Sequence, residues 1–105
     1  MKFEFLAKQI YLIRYPTGKI YIGKDEYGSF RYFGSPNVKV VNEDFLKLSK
    51  ETQMKYTVEK EILWESTTAT STQLAKKEVE FINKYQSNNP EIGYNRWPRW
   101  KNDET

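Results

Sequence analysis

With no histidine and no cysteine in its 105 residues, this chain is limited to Tyr, Lys, Glu or Asp as a general base. Disulfides and thiolate–metal sites are excluded, and any metal must sit on oxygen ligands, which favours Mg²⁺ or Mn²⁺ over zinc. Two places gather the permitted groups. The first is the segment 8–25, KQIYLIRYPTGKIYIGKD, which reads as two short strands joined by Pro16-Thr17-Gly18. A three-residue loop ending in glycine suits a hairpin with a type I turn and a left-handed closing residue. Lys19 then faces Tyr15, Tyr21 faces Ile13 and Gly23 faces Tyr11. Alternation puts Tyr11, Ile13, Tyr21 and Gly23 on one face, and Ile10, Leu12, Ile20 and Ile22 on the other. The aliphatic face is expected to be core. The phenol face carries a glycine, where a ligand's backbone could come close.

The second place is Glu78. From Ser71 to Tyr85 the pattern predicts an amphipathic helix, opened by Thr70 and Gln73 at capping-box spacing. Leu74, Ala75, Val79, Phe81, Ile82 and Tyr85 form one apolar arc at helical periodicity, with Lys76, Lys77, Glu80 and Lys84 opposite. Glu78 falls in the middle of the apolar arc. A carboxylate aimed at a core is costly unless paired, protonated or metal-bound. Two readings stand side by side. One is a structural pairing with Arg14, Arg31 or a tyrosine hydroxyl; the other is a metal ligand or catalytic acid at a pocket edge.

The rest of the chain must position these groups. Phe3, Phe5 and Leu6 in the lead-in are expected to pack under the sheet. Asp25 to Ser29 is a polar loop, and Phe30-Arg31-Tyr32-Phe33-Gly34-Ser35-Pro36 is an aromatic cluster holding an arginine and ending in turn chemistry. A short helix is expected over Asn42–Met54, with Asn42 as its cap. A third strand is expected over Tyr56–Trp64, with Tyr56, Val58, Ile62 and Trp64 on one side. Ile92-Gly93-Tyr94-Asn95 returns to the body of the domain after Asn88-Asn89-Pro90 breaks the helix. Arg96-Trp97-Pro98-Arg99-Trp100-Lys101 interleaves cations and indoles, a composition suited to phosphates and bases. A tail with its tryptophans packed on the core fits equally well, and the last four residues read as disordered.

Length allows one domain, 1–105, with a modest core built from few large side chains, aromatics being 16% of the chain. The net charge of +3 is uneven. Residues 1–41 hold seven Lys/Arg against three Asp/Glu, residues 42–70 four against six, and residues 71–105 six against five. A basic first third suits a polyanion, although chance clustering on a solvated surface gives the same counts. No stretch reaches the apolar length of a membrane span and no signal peptide is visible, so a cytoplasmic location and no membrane partner are expected.

Gln9-Ile10-Tyr11 and Tyr21-Ile22-Gly23, with Tyr21 ten positions after Tyr11, resemble the paired signature of the GIY-YIG nuclease domain. Arg31 stands eight residues past Gly23, Glu78 lies in the late helix, and Gly93-Tyr94-Asn95 closes the pattern in family order over residues 8–95. The resemblance implies an α+β fold, a small three-stranded antiparallel sheet flanked by helices. It further implies metal-dependent hydrolysis of DNA phosphodiester bonds with one Mg²⁺ or Mn²⁺ and no small-molecule cofactor. Carried over, Tyr11 and Tyr21 match the signature tyrosines, one of which helps deprotonate the attacking water. Arg31 matches the phosphate-contacting arginine, Glu78 the metal ligand, and Asn95 the asparagine near the phosphate. Three positions depart from the family pattern. Gln9 replaces a glycine; Ser35 stands where many members have histidine or tyrosine, with Tyr32 the nearest substitute; and Lys24 or Lys39 could take the role of Arg31. Lys24, Tyr32 and Arg96 are the expected DNA-binding residues. Compact stand-alone members occur in phages and mobile elements, and specificity would then come from this domain, its tail, a homodimer or a partner protein. Two other readings are a catalytically weak nucleic-acid-binding module of the same fold and a protein-interaction domain.

Overall fold

Gly18 turns the chain back on itself in the left-handed conformation, at φ 89°. Tyr15 and Lys19 close the loop with a 3.0 Å bond from the Tyr15 N–H to the Lys19 carbonyl. The computed structural model describes residues 7–101, so the expected packing of Phe3, Phe5 and Leu6 and the expected disorder of the last four residues lie outside the described residues. Strands β1 (Lys8–Arg14) and β2 (Ile20–Asp25) pair in the expected register, Tyr11 with Gly23 and Ile13 with Tyr21. A third strand, β3 (Glu59–Ser66), pairs antiparallel with β1 on its other side, giving the order β2-β1-β3. The chain is an α+β fold with a three-stranded antiparallel sheet and three helices.

As the central strand, β1 is covered on both faces: Ile10, Tyr11, Leu12 and Ile13 are all at most 1% exposed. On the aliphatic face, Ile10, Leu12 and Ile22 pack against Leu74 and Ile82 of α3 (Ser71–Tyr85), with Ile20, Leu63, Trp64, Phe81 and Tyr85 around them. Helix α3 has the expected bounds and the expected capping box, Thr70 accepting from the Gln73 N–H and Gln73 from the Thr70 N–H. It ends on Gln86 in the left-handed conformation, which swings the chain back toward β2. Residues 92–95 then run along the outer edge of β2. Ile20 donates to the Ile92 carbonyl and accepts from Tyr94, so the edge is occupied.

Two expected elements differ. The third strand begins later than Tyr56, and a register slip beside Ile10 and Tyr11 pairs Trp64 with Ile10 but Ile62 with Tyr11. Leu63 is the extra residue of this bulge, so Ile62 and Trp64 lie on opposite faces instead of together. The helix expected over 42–54 is two helices, α1 (Val38–Leu46) and α2 (Lys50–Met54). Asn42 sits inside α1 rather than capping it, and Asn37 takes the cap position without a side-chain bond. The break comes from Ser49, whose hydroxyl accepts the Thr52 N–H and starts a new helix. Among the described residues, no helix is long and apolar enough to cross a membrane.

Leu74→Ala is expected to cost about 2–5 kcal/mol in a denaturant titration, because it empties a site sealed between α3 and the sheet. Val38→Ala, on a side chain 61% exposed, is expected to change stability by less than about 0.5 kcal/mol.

Candidate functional site

On the other face of the sheet, three phenols meet. Tyr11 lies with its ring centroid 6.5 Å from that of Tyr21 and 5.9 Å, edge-on, from that of Tyr32. The space at Gly23, expected to admit a ligand, is taken by Tyr11 itself: a Cβ at Gly23 or at Gly34 would run into the Tyr11 hydroxyl. The loop 29–36 therefore closes over Tyr11. Lys60 holds it there, donating to the carbonyls of Ser29 (3.0 Å) and Tyr32 while its ammonium sits 4.6 Å from the Tyr11 ring centroid. Burial pushes the Tyr11 hydroxyl far above its ordinary value, and the neighbouring Tyr21 and Tyr32 push the same way. Tyr21 is raised less, by burial first, against which its bond from the Ser35 N–H works. Burial lowers the Lys60 ammonium, opposed by nearby Asp25.

Lys60 was not among the expected site residues. It pairs with Ile13 across β1 and β3, which puts it on the phenol face. Its parity with Val58 and Ile62 was the available signal.

Glu78 stands half-buried on α3 beside β2, where the backbone N–H and the ammonium of Lys24 both act on its carboxylate. Burial raises its carboxyl above the ordinary value, and the Lys24 charge and backbone N–H offset part of the effect. The two arginines open to it on sequence are engaged elsewhere. Arg14 binds Glu59 at 2.9 Å and Glu61 at 2.6 Å, and Arg31 stacks 5.8 Å from the Phe30 ring centroid. Among the described residues Glu78 forms no ion pair within 4.0 Å. Its charge nonetheless reaches both Tyr11 and Tyr21, raising each, while Arg96 acts on Tyr21 in the opposite sense.

Tyr11, Tyr21 and Glu78 are thus brought together, with Lys24, Tyr32 and Arg96 around them. Arg31 is not brought in. It is exposed on the outer loop, lining a cleft with Tyr27 and with Lys24 and Tyr32, which border the cluster from its outer side. Lys39 is exposed on α1. Asn95 is adjacent, but its carboxamide is committed to the β2 backbone, accepting the Ile22 N–H at 2.8 Å and donating to the Ile22 carbonyl at 2.7 Å. It therefore fixes the segment that carries Arg96 against the strand that carries Tyr21.

Searches among family models, curated proteins and solved structures match nothing. The likeness to GIY-YIG nucleases rests on the residues themselves.

A second polar cluster holds α1 against the hairpin. The Tyr94 hydroxyl donates to Asp44 at 2.8 Å and lies 2.7 Å from the Thr17 hydroxyl, and Lys19 reaches Asp44 at 3.1 Å. These bonds from Tyr94 and then Lys19 hold the Asp44 carboxyl below its ordinary range. Burial, with Asp44 adding to it, pushes Tyr94 up to about 12.

Asp44→Asn is expected to cost about 1–3 kcal/mol at pH 7. A depressed carboxylate stabilises the fold above its unfolded value of 3.8 and loses that contribution as pH falls through its lower folded value. Urea midpoints of the two proteins should therefore converge below that pH. Glu78→Gln should do the reverse. With a raised folded value, the wild type loses stability as pH rises from the ordinary 4.5 through its raised folded value, so the variant is the more stable at pH 7 in chelator. Equal midpoints at pH 7 would mean that the Glu78 carboxylate carries no desolvation cost.

Proposed function

We propose that this chain is a metal-dependent endonuclease of the GIY-YIG type, hydrolysing phosphodiester bonds of DNA. The observation that carries the reading is the meeting of a half-buried carboxylate, without an ion pair among the described residues, with two signature phenols at one sheet edge, beside Lys24 and Arg96. Desolvation makes such a carboxylate a cost to the fold, and a cation bound there would offset it. The donor set suits Mg²⁺ or Mn²⁺. Mg²⁺ is commonly held by one or two carboxylates, with waters and substrate phosphate oxygens completing its shell. Among the described residues no three Asp or Glu gather into an all-protein cage, so Glu78 is the residue that would hold it. When bound, the ion would supply Lewis-acid stabilisation of phosphoryl charge.

The chain's own groups divide the remaining work. Tyr21, half-buried with its hydroxyl at the rim beside Ser35, is the phenol placed to orient the attacking water. Tyr11 is fully buried, so it acts by holding Tyr21 and the loop in place. Arg96 and Lys24 neutralise the scissile phosphate, and Asn95 is a positioning residue. Arg31 and Tyr32, on the outer loop, contact the flanking strand. The site of action is the cytoplasm, and a homodimer or partner protein would add specificity.

One observation favours a second reading, a module that holds DNA without cutting it. Both signature hydroxyls are raised, which makes them harder to ionise at neutral pH. Supercoiled plasmid with Mg²⁺ or Mn²⁺ separates the two. The nuclease reading expects cutting that chelator abolishes, that Glu78→Ala lowers by about 10²-fold or more, and that Tyr21→Phe lowers by about 10²–10⁴-fold. A plasmid that shifts on a gel but is never cut would leave the binding module. Cutting by Glu78→Ala at the wild-type rate would overturn the assigned site.

A further inference from the structure

Next to this site lies a cleft of about 350 Å³ between α1 and the 88–100 segment, within the range of ligand pockets. Its inner residues are apolar or neutral: Gly93, Tyr94 and Asn88 are buried, and Val40 is half-buried. Its outer residues include Trp100, 37% exposed, and the exposed Arg96 and Arg99. Among the described residues those two arginines are its only charged lining residues. The cleft beside Arg31 differs, since Asp25 and Glu26 share its wall.

A planar apolar body with an anionic group attached meets all of these surfaces. The indole offers a stacking face and the guanidiniums take phosphate oxygens. Asn88 adds a second, independent sign of a ligand. It is 7% exposed, its Nδ2–H donates to the Pro98 carbonyl at 2.6 Å, and its Oδ1 has no partner among the described residues. A buried acceptor left unpaired is costly, and an occupant presenting an amino group would satisfy it. Arg96 links the cleft to the phenols, because its charge acts on Tyr21.

We propose that this cleft holds one extrahelical nucleotide of the DNA substrate, its base against Trp100 and its phosphate on Arg96 and Arg99. The inference rests on the nuclease reading and narrows its substrate class to DNA with an unpaired or flipped nucleotide near the cut. An unpaired base costs least to extrude, so bulged or branched DNA is preferred over continuous duplex.

The test measures binding in chelator, so that cutting plays no part. Two duplexes are compared, one fully paired and one with a single bulged adenine, with free adenosine monophosphate as a third ligand. The wild type is expected to prefer the bulge by about five- to 150-fold, the range that stacking one base on an aromatic side chain spans. Trp100→Ala and Arg99→Gln should each reduce that ratio. A 5-iodouracil at the bulge should photocross-link the wild type within residues 94–100, a readout that needs no variant to fold. Equal affinity for the two duplexes overturns the proposal, as does a cross-link confined to the 27–33 loop. Free mononucleotide binding as tightly as the bulge overturns it too, marking the cleft as a small-molecule site. Metal-dependent plasmid cutting by the same preparation reports separately on the nuclease reading.

Discussion

Covering both faces of β1 is the constraint on which the rest of this structure depends. Four consecutive side chains, Ile10 to Ile13, are withdrawn from water, so each sheet face needs its own cover. On one face the cover is conventional: α3 lays Leu74 and Ile82 on Ile10, Leu12 and Ile22. On the other, no helix among the described residues lies over Tyr11. The phenol is covered instead by a loop whose Gly34 allows close approach and whose carbonyls are drawn in by Lys60. The second cover is therefore built from polar and aromatic groups, and it leaves Tyr21 at its rim.

Because α3 runs beside β2, a carboxylate in its apolar arc emerges at the edge where that rim lies. Glu78 could be replaced by an apolar residue with gain to the fold, since burial opposes its charge and among the described residues no cation pairs with it. Groups held against such a cost mark places where stability is traded for chemistry. The edge of β2 is further fixed by Asn95, whose amide copies the pairing of a fourth strand and sets Arg96 beside Tyr21.

Much of this was legible in the residues. The hairpin register, the aliphatic face and the bounds of α3 follow from period-two and helical patterns with clear turn and cap chemistry. Glu78 stood out because one residue broke an otherwise apolar arc. The rest depended on tertiary choices. A bulge at Leu63 is a one-residue register decision that no local pattern records, and it separates Ile62 from Trp64. The division of α1 from α2 turned on a single hydroxyl, that of Ser49, competing with helix continuation. Position Gly23 reads the same whether a ligand or a neighbouring ring fills its space; here Tyr11 does. The placing of Arg31 outside the cluster and of Arg96 near it depends on how two loops fold back, which spacing alone does not encode.

The central claim, that Glu78 holds a divalent ion at the edge of β2, is tested most directly by titrating Mn²⁺ into ¹⁵N-labelled protein. Paramagnetic broadening falls steeply with distance, and the Lys24 backbone N–H is near enough to act on the Glu78 carboxylate. The account predicts that Lys24 and its neighbours Gly23 and Asp25 broaden first at substoichiometric Mn²⁺, and that Glu78→Gln abolishes this. Early broadening centred instead on the Glu59 and Glu61 pair, or identical broadening in Glu78→Gln, would contradict it.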